Sequence, residues 1–303
     1  MSRRPRVLLL GARGRLGEPL ARVLGTWCEV LGAGRRAGDV VAADLAQPAS
    51  LEAAVAATRP AVVFNAAGYA DVDRAEQEAE AAEALNAVAP AVLARAATRA
   101  GAVLVHVGTD YVFDGTRGQP YREEDAPHPL SAYGRTKWAG EQAVLADPGP
   151  HLVLRTSWAY AQGRPCWLTA MEQRLRSGAP LRAVHDQWGS PTWAPAFADA
   201  CSALLQRLRG VGPAGDIAPP AVRGAYHLAG EGGASWHDLA VELCRLLGVP
   251  SAVDAVSRSA WPQPARRPRD SRLDTGRAAR VLGVRLPPWR ESLAACVAGA
   301  SRP

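Results

Sequence analysis

The sequence predicts an α/β fold of the Rossmann type, a doubly wound parallel sheet with a smaller, loop-rich C-terminal lobe. Two observations predict it: short apolar runs alternate with longer alanine-rich segments in the first half, and three glycines follow the first apolar run. Strands separated by helical segments indicate βαβ units with right-handed crossovers. We divide the 303 residues into a first domain (1–160) and a lobe (161–303) whose segments may interleave with that domain.

The apolar runs give the elements in order. Buried strands are expected at RVLLLG (6–11), AVVFNAAG (61–68), AVLVHVGTD (102–110) and HLVLRTSWAY (151–160), with a weaker strand at 28–33. Helices are expected between them at 14–25, 48–58 and 75–100. Beyond residue 160 the pattern weakens. Irregular segments are expected at 210–224 and 261–270, a short strand near 225–229, and a helix at 235–247 with Ser235 as its N-cap.

The composition limits the classes of function. The net charge is +6, but no run of five or more basic residues and no aromatic–basic interleaving indicates a nucleic-acid surface. That charge suits a small anionic ligand such as a phosphate ester.

Five dispersed cysteines without C-x-x-C spacing favour a reducing compartment over disulfides or zinc. Because no apolar stretch approaches membrane-spanning length and the N-terminal apolar run is too short for a signal peptide, we expect a cytoplasmic protein that binds no membrane.

The segment GARGRLG follows the first predicted strand and leads into a helix. Gly11 allows a tight turn, Gly14 lets the backbone approach a diphosphate, and Gly17 lets helix and sheet pack closely. The G-x-x-G-x-x-G spacing is the form seen in short-chain dehydrogenase/reductases, and a purely structural turn is the alternative. The cofactor-binding residues expected in this loop are Gly11, Arg13, Gly14, Arg15, Leu16 and Gly17.

The segment after the second strand bears on the choice between NADPH and NADH. An acid usually meets a free ribose 2′-hydroxyl there, whereas this chain has Arg35 and Arg36. Two guanidiniums suit a 2′-phosphate, with Arg13 assisting, so we expect NADPH, with NADH as an alternative. The three arginines could instead be solvated surface residues. Further cofactor contacts are expected at Asp44 and Leu45 of AADL and at Ala66, Ala67 and Gly68 of NAAG.

Lys137 is the only lysine of the chain, and it stands four residues after Tyr133 in a segment with helical character. Residues at i and i+4 share a helix face, so phenol and ammonium can converge on one ligand. A free phenol has a pKa of about 10, and a nearby cation lowers that value. Arginine is planar and permanently charged, so it cannot share a proton relay. Thr109, just past a central strand, is expected to donate a hydrogen bond to a carbonyl, unless it only caps a turn.

Six motifs together resemble the dTDP-4-dehydrorhamnose reductase family, within the extended short-chain dehydrogenase/reductases. They occur in the family's order: NAAGYADVDRAE (65–76), GTDYVFDG (108–115), HPLSAYGRTKWAGE (128–141), LRTSWAY (154–160), DQWGSPT (186–192) and RPRDSRLDT (267–275). The resemblance implies NAD(P)H-dependent reduction of the C4 ketone of a deoxythymidine-diphosphate 6-deoxysugar. The typical product is dTDP-L-rhamnose, and the C-terminal lobe is expected to bind the substrate.

The resemblance also implies roles for single residues. Thr109 and Tyr133 contact the keto oxygen, and Tyr133 delivers the proton. Tyr133 and Lys137 also bind the cofactor, and Lys137 anchors the nicotinamide ribose. Asp110 and Trp158 contact the sugar, although Trp158 could instead pack within the lobe.

The chain departs from the family pattern at several positions. Gly108 stands where a serine is usual, and Arg35 stands where NADH-accepting relatives carry an acid. Some members bridge two subunits with Mg²⁺ held by glutamates. Glu18 matches the first of these, but Pro195 and Gly299 stand at the others, and neither can ligate a metal through a side chain. We therefore expect no metal, and a monomer or weak homodimer without bridging Mg²⁺.

Three functions follow from these observations. The leading hypothesis is an NADPH-dependent reductase of dTDP-4-dehydro-L-rhamnose. A related reductase of natural-product sugar biosynthesis, such as the dihydrostreptose branch of streptomycin assembly, is the alternative, because pocket side chains decide which sugar is bound. A non-catalytic NADP-binding regulatory subunit is the third, and it would not need Tyr133 and Lys137. The mechanism uses neither His106 nor His185, and we expect both to be structural.

Overall fold

The structure, a computed structural model, describes residues 4–35, 38–208, 223–249 and 253–300. The strands are β1 (Arg6–Leu10), β2 (Glu29–Gly34), β3 (Val41–Ala42), β4 (Val62–Asn65), β5 (Val103–Thr109), β6 (Leu152–Thr156), β7 (Ala159–Tyr160), β8 (Leu181–Val184), β9 (Trp188–Gly189), β10 (Thr192–Trp193), β11 (Gly224–His227), β12 (Ala234–Ser235) and β13 (Val253–Val256). The helices are α1 (Gly17–Leu24), α2 (Pro48–Thr58), α3 (Ala79–Glu83), α4 (Ala89–Arg99), α5 (Ala132–Ala146), α6 (Trp167–Arg176), α7 (Ala194–Leu208), α8 (Trp236–Leu247) and α9 (Trp289–Ala300).

The predicted fold class is confirmed. The described residues form a parallel sheet of seven strands in the order β11-β6-β5-β4-β1-β2-β3. The strand order reverses between β1 and β4, which makes the sheet doubly wound. In such sheets, ligands bind at the carboxyl ends of the strands beside this reversal.

Helices cover both faces of the sheet. One face packs against α1 and α7, in a core that includes Leu9, Phe64 and Phe197. The other face packs against α2 and α4. Strands buried on both faces have continuous apolar sequences, which is why the runs at 6–11, 61–68 and 102–110 predicted them correctly.

Residues 161–303 contribute to the sheet as well as to the lobe. β11 pairs with β6 at the sheet edge, and α7 packs on α1. The division of the chain into residues 1–160 and 161–303 stays a prediction. The lobe has its own core, which includes Tyr160, Leu239 and Trp289. Ser235 caps α8 as predicted, because its Oγ accepts a hydrogen bond from the backbone N–H of Asp238 at 3.1 Å.

Two predicted elements are divided in the structure. The strand expected at 151–160 ends at Thr156, and Trp158 takes a left-handed backbone (φ 44°) that turns the chain into β7. The helix expected at 75–100 is a 3₁₀ turn at 74–76, followed by α3, a π-helical turn at 84–88, and α4. The irregular segment expected at 210–224 lies mostly outside the described residues. No helix in the described part of the chain is both long and apolar enough to cross a membrane.

Candidate active site

A cavity of about 790 Å³ opens at the carboxyl ends of β1, β4 and β5, where the strand order reverses. The sequence-predicted residues that line it are Gly11, Arg13, Gly14, Arg15, Leu16, Arg35, Asp44, Leu45, Ala66, Ala67, Gly68, Thr109, Asp110, Tyr133, Lys137 and Trp158. Gly17 lies behind this lining, at the first position of α1. Arg36 lies outside the described residues. The fold therefore brings the proposed cofactor, catalytic and sugar residues to one cavity.

The glycine-rich loop forms a tight turn between β1 and α1. Gly11 has φ 78°, and its carbonyl accepts a hydrogen bond from the Gly14 N–H at 2.7 Å. A Cβ added at Gly17 would lie 1.9 Å from the Gly11 carbonyl oxygen, so only glycine fits there. Leu16, the N-cap of α1, gives no side-chain cap to the helix. The first turn of α1 therefore leaves backbone N–H groups for an anion such as a diphosphate.

Gly17→Ala is expected to weaken NADPH binding by about ten-fold or more, since the added methyl would push the turn away from α1. Fluorescence titration with NADPH measures the effect. Gly299→Ala is the matched control, because a Cβ at Gly299 meets only the Gln162 side chain at 3.5 Å. Equal affinity in both variants would contradict the role given to Gly17.

Two guanidinium groups lie at the end of β2, each beside a carboxylate. Arg13 Nε is 3.2 Å from Asp39 Oδ1, and Arg35 Nε is 4.0 Å from Asp44 Oδ1. The Arg35 side chain is largely exposed. Asp39 was missed by the sequence analysis, although it is the first acid after β2; its carboxylate packs against Gly34 and lines the cavity. This end of the cavity thus offers cations for a phosphate and acids for a ribose hydroxyl.

Tyr133 and Lys137 lie on α5, whose first turn is capped by Ser131 through a 3.1 Å hydrogen bond from the Gly134 N–H. The Tyr133 hydroxyl is hydrogen-bonded to the Thr109 side chain. Burial raises the pKa of Tyr133 to about 12; the charge of Asp110 adds to this, and the Thr109 hydrogen bond opposes it. The phenol therefore holds its proton across the neutral range.

The expectation that Lys137 lowers the Tyr133 pKa is wrong for this structure. Lys137 is itself buried, and its Nζ donates to the Val107 carbonyl oxygen at 2.6 Å. Burial lowers the pKa of Lys137 to about 8, while Glu141 opposes the change. The physical reason is desolvation, which disfavours the charged form of both side chains.

Asp110 follows Thr109 in the chain, and its carboxylate is hydrogen-bonded to two serines. Its Oδ2 accepts hydrogen bonds from Ser157 Oγ at 2.9 Å and from Ser271 Oγ at 2.5 Å. Burial raises the pKa of Asp110 to about 6, while the two serine hydroxyls lower it. Both serines come from motifs that the sequence analysis quoted, but no spacing showed that they would meet this carboxylate.

Three tryptophans, 158, 167 and 236, form an aromatic cluster at the lobe side of the cavity. The rings of Trp158 and Trp236 stack with centroids 3.7 Å apart, and Trp167 meets Trp236 edge-on at 5.6 Å. The left-handed backbone of Trp158 directs its indole into this cluster. The sequence assigned neither Trp167 nor Trp236 to the site, because no spacing shows which of the nine tryptophans reach the cavity.

Arg267 is a further cavity residue that the sequence analysis did not assign. It donates two hydrogen bonds to Asp73, at 2.9 Å and 2.7 Å, and a third connects it to Tyr111. The guanidinium is thus fixed in the cavity, where it can meet an anionic group of a ligand.

The described residues contain no group of three or more His, Cys, Asp or Glu side chains arranged to hold a metal ion. Glu18, which matches one Mg²⁺ ligand of some family members, is paired with Arg164. Pro195 lies in α7 and Gly299 in α9. The absence of a Mg²⁺-bridged dimer stays a prediction.

Comparisons with known proteins indicate one family. The sequence matches the family described as RmlD substrate binding domain over residues 5–301. A dTDP-4-dehydrorhamnose reductase of Burkholderia thailandensis is 38% identical over 300 residues, which cover 96% of this chain and 98% of the relative. A Streptomyces antibioticus protein, named as a probable dTDP-4,6-dihydroxy-2-methyloxan-3-one 4-ketoreductase, is 40% identical and covers 95% of this chain and 93% of its own length.

Comparison with solved structures indicates the same family. The crystal structure of a dTDP-4-dehydrorhamnose reductase from Bacillus anthracis, in complex with NADP, superposes with a TM-score of 0.87 at 28% identity, over 98% of this chain and 99% of that one. The family match, the full-length relatives and the solved structure all point to the family that the sequence motifs resemble. The chain belongs to the dTDP-4-dehydrorhamnose reductase family.

Proposed function

We propose that this chain reduces the C4 ketone of dTDP-4-dehydro-L-rhamnose with NADPH, giving dTDP-L-rhamnose. The observation that carries this proposal is the meeting of Tyr133, Thr109 and Lys137 in the cavity that the glycine turn opens. A non-catalytic subunit would not need a protonated phenol and a buried amine in that place. The named activity of full-length relatives supports the same reaction.

The residues present fit a dinucleotide. Gly11 and Gly14 add no side chain that would block the approach of the cofactor to the turn, and the first turn of α1 leaves N–H groups for the diphosphate. Arg13 and Arg35 supply cations at the end of β2. Asp44, Leu45 and the segment 66–68 line the cavity beside them. When bound there, NADPH would supply the hydride for the ketone carbon.

Tyr133 acts as the general acid. As negative charge develops on the keto oxygen, the phenol donates its proton to that oxygen, and the Thr109 hydroxyl donates a hydrogen bond to it. The raised pKa of Tyr133 keeps the proton on the phenol until that charge develops. Lys137 holds the ribose hydroxyls from the same face of α5, and Asp110 contacts the sugar.

The lobe (161–303), together with Trp158 at the end of the first domain, binds the remainder of the substrate. The indole N–H groups of Trp158 and Trp167 are buried and have no acceptor among the described residues, so they can donate to oxygens of the sugar or the phosphates. Arg267 supplies a fixed cation for the diphosphate of the dTDP-sugar. The cytoplasmic location and the monomer or weak homodimer stay predictions.

A second candidate is reduction of a related dTDP-4-keto sugar for a natural product. The Streptomyces antibioticus relative, named as a probable 4-ketoreductase of a different dTDP-sugar, favours it. The catalytic residues would be the same, and the tryptophan cluster would select the sugar.

Mass spectrometry of the products separates the candidates. With dTDP-4-dehydro-L-rhamnose and NADPH, we expect a product heavier by one hydride and one proton, whose sugar co-elutes with L-rhamnose after acid hydrolysis. Absence of turnover with this substrate, together with turnover of another dTDP-4-keto-6-deoxysugar, would favour the second candidate. Absence of turnover with both would contradict a reductase.

The double variant Arg13→Ala/Arg35→Ala is expected to raise the KM for NADPH about ten-fold, because it removes two charged partners of the 2′-phosphate. The KM for NADH should change little, since NADH has no such phosphate. Steady-state assays with each cofactor measure both values. Arg99→Ala, which removes an exposed arginine paired with Glu52, is the charge control. Equal losses with both cofactors would contradict the assignment of these arginines.

A further inference from the structure

His106 lies directly behind Lys137, and the reaction described above does not use it. It is fully buried on β5, beside Asn65 of the neighbouring strand β4. Its Nδ1 is 3.1 Å from Asn65 Nδ2, and its Nε2 is 3.4 Å from Lys137 Nζ. The three side chains thus form a buried row that ends at the amine.

The hydrogen bonds determine which ring nitrogen of His106 carries the proton. The backbone N–H of Ala67 donates to Asn65 Oδ1 at 3.1 Å, which fixes the orientation of the amide. Asn65 Nδ2 must therefore donate to His106 Nδ1, and Nδ1 must accept. Burial, with a contribution from Lys137, lowers the pKa of His106 well below its usual value, so the ring is neutral. A neutral ring whose Nδ1 accepts carries its hydrogen on Nε2.

The Nε2–H of His106 consequently points at Lys137 Nζ. An N–H group cannot accept a hydrogen bond from an ammonium, but it can donate one to the lone pair of a neutral amine. We propose that Asn65 and His106 are a positioning pair that stabilises Lys137 as a neutral amine and so allows it to pass protons to Tyr133 during turnover.

This proton transfer rests on the proposed reduction of the ketone. After Tyr133 has given its proton to the keto oxygen, the Lys137 ammonium, one helical turn away on α5, returns one proton to the phenolate through water. The amine that remains accepts a hydrogen bond from His106 Nε2–H, and water later returns the proton to it. Without that N–H, the amine would lose the bond that stabilises it in the row.

Other charged and titratable groups near Lys137 do not replace His106. Glu141, one helical turn further along α5, favours the ammonium, but it is bound to Arg155 of β6. Tyr133, one turn earlier, is protonated at neutral pH, and Asp110 is held by its two serines. His106 is therefore the neighbour whose hydrogen bond favours the neutral amine.

The test uses the single lysine. In untagged protein labelled with ¹³C,¹⁵N-lysine, only Lys137 gives side-chain NMR signals, so its titration midpoint can be read without substrate or cofactor. His106→Phe removes the N–H at similar size, and we expect the midpoint to rise by about one pH unit. His185→Phe, at an exposed histidine, is the control and should leave the midpoint unchanged.

Asn65→Asp provides a second, independent variant. A carboxylate in place of the amide accepts from both Ala67 N–H and His106 Nδ1–H, which reverses the tautomer and turns the Nε2 lone pair toward Lys137. The midpoint should rise here too, and ¹⁵N spectra of the ring should show protonation moving from Nε2 to Nδ1. A wild-type ring protonated at Nδ1, or a midpoint that His106→Phe leaves unchanged, would overturn the proposal. Either result would leave the proposed reduction intact, because the measurement involves no turnover.

Discussion

Tyr133→Phe is expected to lower kcat by about 10²–10⁴-fold, which is the usual contribution of a general acid. The variant keeps the ring that packs edge-on against Tyr111, with centroids 6.0 Å apart, and loses only the hydroxyl that is bonded to Thr109. NADPH binding should persist, because the glycine turn and the arginines at the end of β2 are untouched. Steady-state assays give kcat, and fluorescence titration gives the affinity for NADPH.

Tyr69→Phe is the matched control for this prediction. Tyr69 packs near Tyr133, but its hydroxyl donates to Glu78 Oε2 at 2.6 Å rather than to Thr109. We expect it to turn over at close to the wild-type rate. Full activity in Tyr133→Phe would remove the proton donor from the mechanism, whereas loss of NADPH binding would show that the hydroxyl holds the cofactor rather than acting only in catalysis.

The parts of the fold that were predictable are those with local causes. Strands buried on both faces have continuous apolar runs, and the glycine spacing after β1 reflects the close approach of Gly17 to Gly11. The pairing of β11 with β6 was not predictable, because GAYH is a short run whose partner lies about seventy residues away in the sequence. No local pattern encodes such a contact.

The sequence predicted which residues line the candidate site more fully than it predicted their pKa shifts. The spacing of Tyr133 and Lys137 placed both at the cavity, since a helix face is a local property. The sign of the Tyr133 pKa shift was wrong, because it depends on burial, and burial depends on how β5, α5 and the lobe pack around the phenol. Trp167 and Trp236 reach the cavity only through that packing, so their positions could not be read from the sequence.

Arg155→Met is expected to lower the free energy of unfolding by about 3–5 kcal/mol, which is the usual cost of leaving one member of a buried ion pair without its partner. Arg155 and Glu141 are both buried, and Arg155 Nε donates to Glu141 Oε1 at 2.8 Å. Urea denaturation followed by circular dichroism measures the loss. Arg99→Met, at an exposed pair with Glu52, is the control and should cost less than about 1 kcal/mol.

The double variant Arg155→Met/Glu141→Met tests the cause, because it removes the unpaired carboxylate and should recover most of the loss.

The pH dependence of the stability of Arg155→Met gives a second test. In Arg155→Met the partner that lowers the pKa of Glu141 is absent, so the pKa, already raised by burial, rises further. A carboxyl whose folded-state pKa is raised favours folding only while it is protonated, and that contribution is lost as the pH rises through the folded-state value. The deficit of Arg155→Met should therefore be larger at about pH 8 than at about pH 5, and a deficit independent of pH would show that lost packing against Phe113 and Trp138, rather than the stranded charge, causes it.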